Sequence, residues 1–510
     1  MSLGPAVRAA SRTLIARPTE VLPAYVAGLA VPAVTQAVSL AGLVAAFFVL
    51  ASTGGLGAVR TELEAYGPIP LDDPEALQGE EDALAEAVVD ALAGSLTPTS
   101  TLLLLAILLL TPLAAVLVAI LVSAVVSAGR FHAVYATVTA RPATPAAVDG
   151  AFRHWQTFLA LVLLELLAFL AALTAFLVLV SVLAAISPVL GVFAALGAGV
   201  AWMGASILLR LTFAFARPAA VVDDVGVSEA LRGAFGQITD RPLESFGYGL
   251  LAVVAFVTVG VVAGVFNVLG APTVGSLLFA LAVFPLLDCC KTVLYADGAR
   301  KRLTFPTSPR ASPARRFRGT VGSGLRSLSR FAFGHPVSVL ASAALFAAGI
   351  LLGLRLGGQV DDLFVASIEG RLDQINPVGS FFEYAANNWT VAVAGAFSGL
   401  AFGIPTIVVL VFNGINIGLF YEFETDPEIL LAFVAPHGLL EIPALVLSGA
   451  LGLHLGVVAL RYGSGSIDRR RLAREVDRAF RVVVGLGVLV LGAALIEAFV
   501  SPYYWRFLGI

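Results

Sequence analysis

From Thr99 to Val126 the chain carries no charged side chain. A helix of that length rises about 1.5 Å per residue and reaches beyond the roughly 30 Å hydrocarbon core of a bilayer. Such runs recur from Leu22 to Phe499, which restricts the fold to a helical bundle in a membrane, because an open backbone in lipid leaves its polar groups unpaired. The expected spans are 22–51, 99–126, 157–185, 189–216, 245–268 and 273–295, followed by 336–356, 389–403, 405–421, 439–460 and 481–500. Charged residues make up 13% of the chain, about half of the usual share in a soluble domain. The fold class is therefore all-α and polytopic, with about eleven transmembrane helices in two bundles of six and five. The first apolar stretch is long enough to span, so no cleavable leader is expected. Cys289 and Cys290 are the only cysteines and are adjacent. No cysteine-based metal site or disulfide framework follows from them.

Charge sets the expected orientation. The connection from Asp297 to His335 holds Arg300, Lys301, Arg302, Arg310, Arg315, Arg316, Arg318, Arg326 and Arg330 against one acid, whereas 53–98 is rich in Asp and Glu with only Arg60 as a base. Basic loops stay cytoplasmic. The N-terminus and the basic linker are thus expected inside, and the acidic loop 53–98 and the C-terminus outside, in a multi-pass cell-membrane protein. A break near Gly403–Pro405 divides 389–421 into two short spans and returns the Arg-rich stretch 461–481 to the inner side. Domain boundaries follow from the same pattern: a six-span unit at 1–299, a basic linker at 300–330 and a five-span unit at 331–510. The segments 11–22, 145–158, 227–246 and 329–340 read as short amphipathic helices that lead into spans. Pro18 and Pro336 suit first-turn positions.

Several polar groups stand inside apolar runs. Glu165 and Arg210 lie at similar depth on neighbouring antiparallel spans and are expected to form an intramembrane ion pair. Asp288 and Lys291 are one helical turn apart and can pair. Arg355 and Glu497 lie near span ends, where their heads can snorkel. The densest group is in "NGINIGLFYEFETDPEILLAFVAPHGLLEIPA", Asn413 to Ala444. Asn413, Gly414, Asn416 and Gly418 form a small-polar face. The segment 428–435 is expected to lie in the interface, with Pro436 opening a new helix, His437 in its first turn, then Gly438, Glu441 and Pro443. Asn413, Asn416, His437 and Glu441 are expected to meet as one polar cluster near the outer face, either capping freed backbone groups or binding a ligand. His437 and Glu441 could ligate a metal, but no third ligand stands out, so neither a metal nor another cofactor is expected.

Two family resemblances rest on these residues. "NGINIG" followed by "PHGLLEIPA", with Asn387–Asn388 opening the Gly-rich span before them, resembles the stage II sporulation protein M family over about 330–500. That resemblance implies a non-catalytic membrane organiser of envelope proteins rather than an enzyme, in some relatives beside a MoxR-type ATPase. "RPAAVVDDVGVSEALRGAF" (217–235) resembles the six-span family related to the glycerophosphodiester phosphodiesterase membrane domain. No phosphodiesterase catalytic motif accompanies it. A transporter or flippase-like activity at the polar cluster is the competing reading. The basic linker points to anionic lipid and not to nucleic acid.

Overall fold

The computed structural model describes residues 1–71, 81–305, 311–373 and 376–504. Residues 72–80 of the acidic loop, 306–310 of the basic connection, 374–375 and 505–510 at the C-terminus lie outside the described residues. The chain opens with α1 (Leu3–Ala16), α2 (Pro18–Gly28), α3 (Val31–Thr53) and α4 (Gly55–Tyr66), then β1 (Ile69–Pro70) and α5 (Glu81–Ser95). Long helices follow: α6 (Pro98–Val138), α7 (Ala143–Ile186) and α8 (Pro188–Val222). Next come α9 (Val227–Asp240), α10 (Pro242–Val268), α11 (Pro272–Leu278) and α12 (Phe284–Gly298), the last two joined by a π-turn at Phe279–Val283. The second half comprises α13 (Pro313–Gly334), α14 (Pro336–Gly357), β2 (Phe364–Val365), α15 (Ile368–Asp373) and α16 (Pro377–Phe397). It ends with α17 (Ile404–Phe423), α18 (Pro427–Gly463), α19 (Arg469–Phe499) and α20 (Ser501–Tyr504).

Among the described residues, ten helical stretches are long and apolar enough to cross a membrane. Of the eleventh expected span, 389–403, residues 389–397 are the end of α16 and 398–400 form a 3-10 turn. This helix has 21 residues, but Glu383, Asn387 and Asn388 lower its hydropathy. The break expected near Gly403–Pro405 is a tight reversal in which Phe402 and Gly403 both adopt positive φ, 61° and 81°. Glycine tolerates that geometry without a Cβ clash, whereas for phenylalanine it is unusual.

Proline sets the corners. Arg17, Arg241, Ala271, His335 and Asp426 each precede a proline and share nearly one conformation, with φ between −136° and −124° and ψ between 51° and 73°. The proline ring disfavours the α region for its predecessor, and at these five corners one helix ends there and the proline begins the next. The amphipathic helices α1, α9 and α13 are thereby turned onto the surface before α2, α10 and α14 enter the bundle. The segment 145–158 differs: it is the first part of the continuous helix α7, because no proline interrupts it. Nor is 300–330 a bare connector. Its later part is α13, whose buried Gly324 lies against Gly485 of α19.

One core lies within the first half, and both halves contribute to a second. Phe131, Phe158, Phe215 and Leu294 fill the first. Val26 and Ala30 of the N-terminal segment join Phe331, Phe397, Leu451 and Leu486 in a second. In the C-terminal bundle the helices meet backbone to backbone. A Cβ on Gly349 or Gly353 of α14 would overlap the carbonyl of Val411 or Ile415 on α17, and one on Gly414 or Gly418 of α17 would overlap that of Phe346 or Ile350. Such small-residue stripes let membrane helices approach closely.

The two ends of the molecule differ in charge. At one end, β1 pairs in parallel with β2, and Arg60 bridges Asp362 at 2.7 Å. There Glu424 accepts hydrogen bonds from the Ile368 N–H at 2.9 and 3.0 Å, while burial raises its carboxyl above the usual range. At the other end, Arg316 of α13 donates to Ile15 and Ala16 of α1, and Arg469 pairs with Asp149. The described parts of the acidic loop, 358–366 and Glu424 thus share one face, and the described Arg-rich segments share the opposite face. If the basic end is cytoplasmic, a cysteine at Asp426 should label from outside and one at Arg470 should not, in a chain with Cys289 and Cys290 replaced by alanine. Both native thiols are buried. External labelling at Arg470 would reverse the orientation.

Candidate functional site

The segment expected to lie in the interface is part of α18, which runs unbroken from Pro427 to Gly463 with Pro436 and Pro443 inside it. Pro427, not Pro436, takes the first-turn position. His437 is therefore ten residues into the helix, about 15 Å along its axis, and not in its first turn. Proline within a helix lacks the N–H that would bond the carbonyl four residues earlier, so Ala432 and Leu439 lose those backbone donors. The helix continues because α16 and α19 pack along it, as neighbouring helices allow in membrane bundles.

The i,i+4 spacing puts His437 and Glu441 on one face. Antiparallel α19 brings Glu497 to the same place, so that one potential ligand atom from each of the three lies within 4.8 Å of the others. His437 is only 5% exposed. Its Nδ1 lies 2.9 Å from Ser501 Oγ on α20, and Phe433 sits edge-on to the ring at 5.2 Å. Asn388 of α16 donates from Nδ2 to Glu441 Oε1 at 2.9 Å, and Asn387 donates to Asn388 Oδ1 at 3.2 Å. Trp389 anchors the same turn by donating to the Val483 carbonyl at 3.3 Å. Glu497 Oε2 is inaccessible and has no hydrogen-bond partner among the described residues.

Only part of the group expected from sequence meets here. His437 and Glu441 do. Asn413 donates instead to Val409 of its own helix at 2.8 Å, beside a groove lined by Leu29, Gln36 and Thr390. Asn416 is half-buried one turn further on. Gly414 and Gly418 serve the close approach to α14. Buried Gly438 and the two prolines shape α18 itself. Glu497 and Ser501 were not expected. Glu497 does not snorkel at a span end but turns into the bundle, and its place as the lone acid of an otherwise uncharged run from Val482 to Tyr504 is the sequence signal for that.

Other polar nodes support the framework. Glu165 accepts from Arg210 at 2.9 Å and also from Arg217 at 2.7 Å. His132 and His154 approach to 3.0 Å, with His154 Nε2 3.3 Å from Asp224. Asp223 binds Tyr295 and Lys301 at 2.6 and 3.1 Å. The acidic pair of the phrase at 217–235 therefore ties α8 to α7 and α12. Glu475, 4% exposed, gathers Arg471, Arg478 and His454 at 3.1 to 3.5 Å.

All five residues of the Asn388, His437, Glu441, Glu497 and Ser501 group fall in one matched segment. Residues 342–502 match the family model of Stage II sporulation protein M. An uncharacterized protein of Methanocaldococcus jannaschii is 21% identical over 170 residues, which cover 32% of this chain and 94% of that protein. No solved structure matches. The chain is therefore a multi-pass membrane protein whose residues 342–502 are similar to the Stage II sporulation protein M family.

Proposed function

We propose that the chain is a non-catalytic organiser of envelope proteins in the cell membrane, with its basic end in the cytoplasm. The observation that carries this reading is the glycine-mediated contact between α14 and α17. Helices joined backbone to backbone leave no room between them for a solute, and they give the bundle a rigid shape on which partners can be arranged. The acidic end adds a folded surface built from both halves, where Arg60 ties α4 to the turn before β2. At the basic end, α13 buries Leu328 and Phe331 and exposes Arg315, Arg318, Arg326 and Arg330, which suits an anionic leaflet. A MoxR-type ATPase would meet the chain on that side. The second half is a module by this reading, because the family match is confined to residues 342–502.

Transport is the second reading, favoured by two carboxylates, Glu441 and Glu497, held inside the bundle. One experiment separates the two. The tagged full chain, gently solubilised, should retain an envelope protein in stoichiometric amount, and Arg60→Glu should release it without changing the elution of the chain itself. Reconstituted alone, the chain should conduct no proton- or sodium-coupled flux. Flux that disappears in Glu441→Gln, with no retained partner, would establish transport instead.

A further inference from the structure

We propose that His437, Glu441 and Glu497 bind a first-row divalent transition cation between α18 and α19. Three observations on the geometry carry this. The first is convergence: one potential ligand atom from each of the three lies within 4.8 Å of the others. Ligands at about 2.1 Å from an ion stand roughly 3.4 Å apart in a tetrahedral shell, so small side-chain rotations close the site without moving a helix.

The second is that two of the donors are held from behind. Metal-bound histidine engages its other ring nitrogen with an oxygen partner, and ligating carboxylates are themselves hydrogen-bonded. Ser501 Oγ stands 2.9 Å from His437 Nδ1. A proton on Nδ1 directed at Ser501 puts the ring lone pair on Nε2. Asn388 donates to one oxygen of Glu441 at 2.9 Å, fixing that carboxylate and leaving its remaining lone pairs for an ion. These two supports come from α20 and α16, so four helices define the site.

The third is an unsatisfied buried oxygen. Glu497 Oε2 is buried with no hydrogen-bond partner among the described residues. A buried oxygen left so costs its full desolvation energy, and here a second carboxylate stands beside it. A dication neutralises both charges at once. One imidazole with two carboxylates suits zinc, manganese or ferrous iron, whereas magnesium and calcium prefer shells made wholly of oxygen. Three protein donors leave a coordination position for water. The competing way to neutralise the pair is a proton shared between Glu441 and Glu497. The site does not depend on the organiser role, since the ion would hold α18 to α19 in either reading of function.

The test uses the purified full chain in detergent, stripped with EDTA, incubated separately with zinc and manganese, desalted and measured for metal by mass spectrometry. The wild type should retain about one ion per chain of at least one metal, with a melting temperature that rises with the concentration of that ion. His154→Gln, which alters the unrelated histidine pair at the basic end, should retain it equally. Glu497→Gln and His437→Gln should weaken binding by about ten-fold or more. Wild-type protein that retains neither metal and melts unchanged in both overturns the proposal and leaves the shared proton. So does equal retention by Glu497→Gln and His437→Gln chains that elute as the wild type does. Should either variant fail to fold, the wild-type retention and melting measurements decide alone.

Discussion

Gly353→Leu should abolish the folded C-terminal bundle, whereas Gly264→Leu should leave yield and melting temperature nearly unchanged. Both glycines lie in membrane helices, and the difference is what surrounds them. A Cβ at Gly353 would overlap the carbonyl oxygen and Cα of Ile415 on α17. Those are backbone atoms and cannot rotate aside. The two helices must separate, and with them the contacts of Gly349 and Gly357 on α14 and of Gly414 and Gly418 on α17. Overpacking a core that can still adjust costs about 1–3 kcal/mol, and here adjustment is blocked along a whole interface, so the loss should exceed that range. At Gly264, on α10, nothing lies within 4 Å of the added Cβ, and leucine is the better helix former by several tenths of a kcal/mol. Size-exclusion profiles and thermal melts of the two variants provide the comparison. A Gly353→Leu chain that elutes and melts like wild type would show that α14 and α17 are not in backbone contact.

Asp288→Asn should be the most damaging single change in the N-terminal half, and a second substitution should repair most of it. Asp288 and Lys291 are 7% and 6% exposed and pair at 2.8 Å. The Tyr25 hydroxyl donates to Asp288 Oδ2 at 2.8 Å, and the Lys291 ammonium stands 4.9 Å from the centre of the Phe131 ring. Asparagine keeps the shape but leaves the lysine charge buried and uncompensated, a change worth about 3–5 kcal/mol. Replacing both members with apolar residues of similar size, Asp288→Leu with Lys291→Met, removes the stranded charge and is often nearly neutral. The double variant should therefore melt well above the single one, a coupling expected for residues in contact. Equal melting temperatures for the two would mean that Lys291 reaches solvent or another anion.

The sequence by itself determined the helical membrane class, most of the spans, the charge asymmetry between the ends and several of the helix corners. These are local properties. Hydropathy over some twenty residues decides what can stay in lipid, and the steric restriction before proline decides where Arg17 and His335 must leave the α region. The pairing of Asp288 with Lys291 is equally local, since one helical turn brings them together. The composition of the polar group around His437 is not local. Pro436 and Pro443 obey the same proline chemistry as Pro18, yet they remain inside α18 because α16 and α19 enclose it. Asn413 shares a motif with His437 but belongs to α17, whose rotation about its own axis turns that side chain back to Val409. Glu497, sixty residues from His437 by number, reaches it because α19 runs antiparallel to α18 and presents that face. Helix rotation and antiparallel register are fixed by which small residues of neighbouring helices can touch, such as Gly399 against Gly452 and Gly324 against Gly485. That choice is made between segments distant in sequence, and only the folded bundle makes it.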